Sequence, residues 1–296
     1  MTERLIRQTL EQDPYFEPEG SMAAREGERI VGWALCKSMR LAGPEVGRFQ
    51  KRGGIGALCV HPDYQRRGIG SQLLDGAEAH LRANESKITT LYFPHHFLPG
   101  IPEGNEAAMA LFKKRGYTAT GAAADLWREL SDYQLPEKVV AALKNNPTVE
   151  IRPGKPEEAE AIIAMVTREF PGGWTYSIKR HFREGGKASD IIVVAEGAEI
   201  IGFCHTADWN SKWLLPNVYW HKLLGDRYGG LGPLGMAAEH RKRGLGLAVT
   251  AMGVADLKWR GVERMAIDWT GLVTFYEMLG FRVWKRYVQL ELKEEN

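Results

Sequence analysis

A short apolar run, a basic turn with two glycines and the start of a helical pattern occur together twice in this 296-residue chain. The first copy is residues 60–71, Val-His-Pro-Asp-Tyr-Gln-Arg-Arg-Gly-Ile-Gly-Ser, and the second is residues 236–247, Met-Ala-Ala-Glu-His-Arg-Lys-Arg-Gly-Leu-Gly-Leu. Because the first N–H groups of a helix have no intrahelical partner, and the helix dipole adds partial positive charge, such a turn favours an anion. The glycines and arginines therefore predict a pyrophosphate site.

A single Gly-x-Gly beside arginines is more typical of a tight turn with a solvated basic face. Here the pattern recurs with the same internal spacing, and a second landmark recurs with it. A hairpin pattern turns at Gly27 in the first half and at Gly197 in the second, 170 residues later, whereas 176 residues separate Gly68 from Gly244. Two landmarks in the same order at nearly one offset indicate an internal duplication.

These motifs resemble those of the GNAT superfamily of acetyl-CoA-dependent N-acyltransferases. Its acyl-CoA signature, (Gln/Arg)-x-x-Gly-x-(Gly/Ala), is matched by Gln65, Gly68 and Gly70 and again by Arg241, Gly244 and Gly246. A later signature places an aromatic residue five positions before an aromatic that follows glycine. It is matched by Phe112 with Gly116-Tyr117 and by Tyr276 with Gly280-Phe281.

The resemblance implies an α/β (α+β) fold of two tandem GNAT domains, each a mixed, mostly antiparallel twisted sheet flanked by helices. We expect an N-terminal domain over 1–130, a connecting helix or linker over 131–147 and a C-terminal domain over 148–296. Residues 151–190 precede the second hairpin, but only residues 1–20 precede the first. The missing part forms one wall of the acceptor site in GNAT folds. The N-terminal domain is therefore expected to be abbreviated and non-catalytic, although its turn predicts CoA binding.

The acyl-CoA site is expected to comprise both turns and the strand residues before them. The resemblance assigns to it Leu58, Cys59, Val60, Gln65, Arg66, Arg67, Gly68, Ile69, Gly70, Ser71, Leu234, Gly235, Met236, Arg241, Lys242, Arg243, Gly244, Leu245, Gly246 and Leu247. In this family a backbone N–H on a bulged strand commonly stabilises the oxyanion, which would fall near 234–236. The preceding Gly232-Pro233 predicts an irregular strand, because Pro and Gly inside strands mark bulges or edges.

Two catalytic residues are predicted, both in the second half. Tyr276 stands where GNAT enzymes often keep a tyrosine general acid, and a phenol can donate a proton to a departing thiolate at neutral pH. A packing aromatic is the alternative, but the matching Phe112 has no proton to give, which favours catalysis in the second half. Asp268 is a candidate base or an anion that recognises ammonium. His205 and Glu239 are further candidate bases.

Composition bounds the partners of the protein. The net charge of +2 does not favour nucleic acid or a membrane surface as a partner. The three cysteines are widely spaced and indicate free thiols, and the N-terminus lacks the apolar run of a signal peptide, which together predict a cytoplasmic protein. Adjacent His95 and His96 have no further ligand at suitable spacing, so no metal is expected.

The combined prediction is an N-acetyltransferase, a monomer or homodimer. It would move an acetyl group from acetyl-CoA to a primary amine of a small molecule, by direct attack in a ternary complex. Two alternatives remain open from the sequence. One is a non-catalytic acyl-CoA-binding sensor or scaffold, and the other is a peptide or protein N-acetyltransferase.

Overall fold

The computed structural model describes residues 2–39, 51–90 and 97–293, and the chain divides into two compact units. The first unit comprises Thr2–Ala123 together with Lys285–Asn296, and the second comprises Ala124–Trp284. This division differs from the predicted boundaries at 130 and 148. Two long strands, Tyr117–Glu129 and Arg282–Leu292, cause the difference. Each strand begins in one unit and ends in the other.

The first unit is a sheet with helices. It contains α1 (Glu3–Ile6), a π-helical turn (Arg7–Glu11), β1 (Met22–Glu26), β2 (Arg29–Ser38), β3 (Arg52–Val60), α2 (Ile69–Ala83), β4 (Lys87–Thr89), β5 (Ile101–Pro102), α3 (Glu106–Lys114) and the first half of β6 (Tyr117–Glu129). The C-terminal strand, Arg282–Leu292, completes its sheet by pairing antiparallel with β4 at Glu291 and with β5 at Tyr287 and Val288.

The second unit has the same plan with more helices. It contains the end of β6, α4 (Glu137–Lys144), β7 (Val149–Pro153), α5 (Ala159–Glu169), α6 (Gly173–Arg183), β8 (Ile191–Glu196), β9 (Glu199–Asp208), α7 (His221–Leu224), β10 (Tyr228–Met236), α8 (Leu245–Trp259), β11 (Arg264–Thr270), α9 (Val273–Glu277) and the start of β12, the C-terminal strand. Its strands follow the order β6-β11-β10-β9-β8-β7, and of their described pairings only β10–β11 is parallel. The predicted mixed, mostly antiparallel sheet flanked by helices is confirmed.

Strand register supports the internal duplication at the level of single residues. The hairpin β1–β2 pairs Met22 with Ala34 and shifts register between Ala24 and Arg25. The hairpin β8–β9 pairs Ile192 with Cys204 and shifts register 170 residues further on, between Val194 and Ala195. A register shift at the same place in both hairpins is a feature that a common ancestral hairpin explains.

The two units differ in the helices that precede these hairpins. The second unit has α5 and α6, whose apolar faces join a core with β8 and β9. In the first unit the corresponding stretch forms only α1 and the π-helical turn. This is the asymmetry expected from the segment lengths.

Some element bounds correct the sequence expectations. The connecting helix, expected within 131–147, begins only at Glu137, because Pro136 is its N-cap residue and stays extended. The strands β6 and β12 are single long strands over Tyr117–Glu129 and Arg282–Leu292. Gly121 lies inside the first of these as close packing rather than as a turn, since a Cβ there would meet Gln289 Oε1 at 3.0 Å.

Each unit has its own apolar core, and the C-terminal strand supplies part of the first one. Leu73, Leu74, Ala77 and Leu81 form the buried face of α2, as their helical spacing predicts. Leu290 of β12 is fully buried in the same core.

Substitution Leu290→Ala is expected to destabilise the first unit by about 2–5 kcal/mol, because it leaves a cavity in a closed core. Urea unfolding followed by the fluorescence of Trp33, a first-unit tryptophan, measures this. Lys293→Ala, which alters an exposed side chain at the end of the same strand, is the control and should change stability by less than about 0.5 kcal/mol. Equal stability of the two variants would contradict the assignment of this strand to the first core.

Candidate active site

The two glycine turns share one backbone conformation. Arg66 and Lys242 have φ of 62° and 63°, and Gly68 and Gly244 have φ of 83° and 78°. In each turn the glycine is the N-cap residue of the following helix, α2 or α8, and no side chain caps that helix. Left-handed backbone at a non-glycine residue costs about 1–3 kcal/mol and is concentrated at functional sites. The uncapped N–H groups at each helix start suit an anion.

The first residue of each signature ties its turn to the preceding strand. Gln65 Nε2 donates to the carbonyl oxygen of Val60 at 3.1 Å, and Arg241 Nε donates to that of Met236 at 3.0 Å. Both bonds span five residues and reach the last residue of the strand. Glutamine and arginine share a long side chain that ends in an N–H donor, which explains why the signature accepts either residue.

Only part of the predicted positive charge faces outward. Both guanidinium Nη atoms of Arg243 donate to Glu196 at 2.9 Å, and its Nε donates to Asn146 Oδ1 at 2.9 Å. The bond from Arg243 is the main reason that the pKa of Glu196 is lowered to about 2, so this pair is charged at neutral pH. In the first turn Arg67 lies over the Tyr64 ring, 4.9 Å from its centre. The side chains of Arg66 and Lys242 are exposed.

The surroundings of the two turns differ. A Cβ at Gly244 would lie 2.8 Å from Ala142 Cβ on α4, whereas a Cβ at Gly68 would meet no atom of the described residues within 4 Å. Gly244 is thus required by packing as well as by its φ, and Gly68 by its φ alone.

A fork between parallel strands lies in front of the second turn. The parallel register of β10 and β11 ends at Gly230 and Ala266, although β11 continues to Thr270. Beyond this point β10 continues to Met236 and pairs with β9 across a bulge between Leu231 and Leu234. The irregular strand predicted from Gly232-Pro233 is confirmed. The edge of β10 beyond Gly230 has no parallel partner in the described register. In the first unit the parallel register of β3 and β4 ends at Gly54 and Thr89, where the described part of β4 also ends.

The later signature has a packing reason in both units. The rings of Phe112 and Tyr117 pack edge to face with centres 5.0 Å apart, and those of Tyr276 and Phe281 do so at 6.1 Å. The glycine between them has a left-handed φ in both cases, 88° at Gly116 and 78° at Gly280, which lets the chain leave the helix. The ring of Tyr276 therefore has a packing role, and its hydroxyl is what distinguishes it from Phe112.

The surroundings of Tyr276 keep its phenol protonated. Tyr276 is 7% exposed, and burial, followed by the nearby Cys204 and Asp268, raises its pKa above the usual value. Asp268 therefore contributes to the electrostatic environment of the phenol, although less than burial does.

The remaining candidate bases lie in different environments. His205 is buried on β9, where burial lowers its pKa, so the ring is neutral. The adjacent residues Cys204 and Thr206 pair with Leu234 and Leu231, so His205 lies opposite the bulge of β10. Its ring packs against His181 of α6 at 4.5 Å. Glu239 is exposed on the short turn before Arg241.

Sequence reasoning missed a polar and aromatic cluster in the second unit. Asp125 is 1% exposed and accepts hydrogen bonds from Trp220 Nε1 at 3.2 Å and from the Trp269 backbone N–H at 3.1 Å. The ring of Trp220 packs edge to face on that of Trp284 at 6.4 Å. Trp269 itself has a φ of +40°. The sequence carried one signal of this cluster, the single aspartate in the apolar run 122–127. An apolar run predicts burial, and a buried carboxylate requires hydrogen-bond partners.

Two predicted absences concern metals and membranes. Within 2–39, 51–90 and 97–293, no group of His, Cys, Asp and Glu side chains is arranged to hold a metal ion. His95 and His96 lie outside these residues. None of the helices that the structure describes is long and apolar enough to cross a membrane.

Arg241→Gln is expected to keep the turn and its ligand affinity, because Gln65 makes the same bond in the first turn. Arg241→Leu removes the donor of the bond to Met236. It should raise the Kd for acetyl-CoA about tenfold, because one hydrogen bond that holds the anion-binding turn is lost. Isothermal titration of both variants measures this. Equal affinity in the leucine and glutamine variants would show that the bond to Met236 does not organise the site.

Comparison with protein families and curated relatives identifies the chain. Residues 2–117 match the acetyltransferase (GNAT) family model. The mycothiol acetyltransferase of Thermobispora bispora is 28% identical over 317 residues, which cover 96% of this chain and 97% of the relative. The mycothiol acetyltransferase of Corynebacterium efficiens is 24% identical over 83% of this chain and 77% of its own length.

Solved structures share the fold. One describes a GCN5-related glucosamine N-acetyltransferase region in a fungal multi-domain GH3 β-N-acetylglucosaminidase. It aligns with a TM-score of 0.87 and 28% identity over 99% of this chain, which spans 35% of that longer protein. A tandem GNAT protein from the clavulanic acid biosynthesis pathway aligns with a TM-score of 0.60 and 16% identity over 95% of this chain and 86% of its own. Residues 2–117 thus match a GNAT acetyltransferase domain, and the chain as a whole is similar to mycothiol acetyltransferases and shares the fold of a tandem GNAT protein.

Proposed function

We propose that this protein transfers an acetyl group from acetyl-CoA to the primary amine of an amino sugar, and that the second unit catalyses the reaction. The observation that carries the proposal is the arrangement in that unit. It combines an uncapped helix start at Gly244, a strand fork at Gly230 and the hydroxyl of Tyr276. The first unit repeats the turn but has Phe112 at the position that corresponds to Tyr276.

The donor would bind along the second turn and the free edge of β10. The N–H groups at the start of α8 would hold the pyrophosphate, with Lys242 as an exposed counter-charge. Residues 234–236 border the fork and would run beside the acyl arm. A backbone N–H there would donate to the carbonyl oxygen as it becomes an oxyanion.

The reaction is a direct displacement at the thioester. The neutral amine nitrogen attacks the carbonyl carbon, the carbon–sulfur bond breaks, and the sulfur takes a proton from Tyr276. The amine gives up one proton to a base, for which Asp268 and the neutral His205 are the candidates. Atoms balance as an N-acetyl amide and free CoA.

The amino-sugar acceptor is inferred from two features. The relative with a TM-score of 0.87 is described as a glucosamine N-acetyltransferase region. In the second unit, Trp220, Trp269 and Trp284 are half-buried around the carboxylate of Asp125. Aromatic faces pack well against the C–H face of a sugar ring, and a few polar groups among apolar walls fix its orientation.

An acceptor panel separates this proposal from the alternatives. With acetyl-CoA as the donor, release of free thiol should be fastest with glucosamine and related amino sugars, and slower with polyamines, amino acids and peptides. If no acceptor raises thiol release above the rate of acetyl-CoA hydrolysis, the result would instead indicate a sensor or scaffold. The fastest release with peptides would indicate a protein N-acetyltransferase.

Tyr276→Phe is expected to lower kcat at least about tenfold and to leave acetyl-CoA affinity within about twofold, because the ring packing is kept and only the proton donor is lost. Tyr133→Phe is the control. The Tyr133 hydroxyl donates to the Ala251 carbonyl oxygen at 2.9 Å in the same unit, so its loss should affect stability and not turnover. Unchanged turnover in Tyr276→Phe would remove the general-acid assignment.

The pH dependence follows from the same environment. Since the pKa of Tyr276 is raised, its proton is retained through neutral and mildly alkaline pH. In a pH–rate profile of the wild type, kcat should therefore not fall through deprotonation of Tyr276 below about pH 10.

A further inference from the structure

Asn217 is a buried polar residue next to the strand fork of the second unit. It lies in the segment 209–220, here called the strap, which connects β9 to α7. Its short helical turn, Pro216–Val218, packs against both β10 and β11. Asn217 itself is 1% exposed.

The amide of Asn217 is located at the point where the two parallel strands separate. A Cβ added to Gly230 would lie 2.6 Å from Asn217 Oδ1 and 2.9 Å from the carbonyl oxygen of Ala266. Gly230 and Ala266 are the last residues paired in parallel. The space that a side chain at Gly230 would occupy is therefore filled by the Asn217 amide.

The two ends of this amide have different surroundings. Nδ2 donates to the carbonyl oxygen of Gly232, in the bulge of β10, at 3.3 Å. This acceptor fixes the orientation of the amide, since an oxygen in place of Nδ2 would face another oxygen. Oδ1 is buried and has no hydrogen-bond partner among the described residues. Buried amide oxygens normally have a partner, and an unpaired one costs free energy, so this atom requires a donor from outside the fold.

We propose that Asn217 Oδ1 accepts a hydrogen bond from the N–H of the acceptor amine and holds the nucleophile at the fork. The inference rests on the proposed function, because it assigns a contact to that acceptor. A neutral primary amine has N–H groups to donate and a lone pair to attack the thioester. An uncharged acceptor such as an amide oxygen favours the protonated, unreactive form of the amine less than a carboxylate would.

The strap also implies how the acceptor enters. The strap shields Oδ1 from solvent, and its residues Leu214 and Val218 are 1% and 0% exposed. Because Asn217 is part of the strap, the amine would enter while the strap is open, and the contact with Oδ1 would form as the strap closes onto β10 and β11. Closure of a loop over a bound substrate is a common way to exclude water from an acyl transfer.

Two substitutions at this position test the contact. Asn217→Leu keeps the size and removes the acceptor atom, and it should raise KM for glucosamine about tenfold while the Kd for acetyl-CoA stays within about twofold. Asn217→Asp keeps an acceptor atom but adds negative charge. It should shift the pH optimum of kcat/KM upward, because the carboxylate favours the protonated amine. Asn210→Leu, on an exposed position of the same strap, is the matched control and should change neither value.

The outcomes separate this inference from the proposed function. If the wild type transfers acetyl groups to glucosamine and Asn217→Leu has an unchanged KM, the contact is absent and only this inference fails. A wild type that acetylates no amine overturns the proposed function and this inference together. A merely structural role would raise the Kd for acetyl-CoA and KM together and leave the pH optimum of Asn217→Asp unchanged, which also overturns the contact. If Asn217→Leu does not fold, the pH optimum of Asn217→Asp decides alone.

Discussion

The separation of two parallel strands is the constraint on which the second unit depends. Parallel pairing of β10 with β11 lasts for three residues, and a bulge in β10 then removes the regular hydrogen-bond ladder. Backbone N–H and C=O groups at such a fork have no strand partner on one side, and those groups must find another one. The strap meets part of this need, because its short helical turn packs against both strands and Asn217 donates to the carbonyl oxygen of Gly232 in the bulge.

Duplication has preserved the backbone of the site more strictly than its side chains. The two turns agree within 5° in φ at their left-handed residues, and the signature side chains make equivalent bonds to the preceding strand. The cations of the turns do not agree, because Arg243 is paired with Glu196 whereas Arg67 stacks on Tyr64. Backbone geometry is set by φ and by glycine, whereas each charged side chain responds to whatever neighbour its own unit provides.

Local patterns in the sequence predicted the fold class, the hairpins, the helix after each turn and the irregular strand at Gly232-Pro233, because each depends on residues close together in the chain. The division into units was beyond such patterns, since it depends on how the last strand pairs far away in sequence. Asn217 and Asp125 were missed for the same reason. Neither belongs to a motif, and their importance comes from burial and from partners on other strands.

The pairing of Lys285–Leu292 with strands formed near the start of the chain has a consequence for synthesis on the ribosome. Ala124–Trp284 is continuous in sequence, so its own strands are all made before those residues and it does not depend on them to pair. The sheet that contains Thr2–Ala123 must instead wait, with the sites of Tyr287 and Leu290 open, until Lys285–Leu292 has been translated and has left the ribosome. The part made first is therefore the last to finish folding.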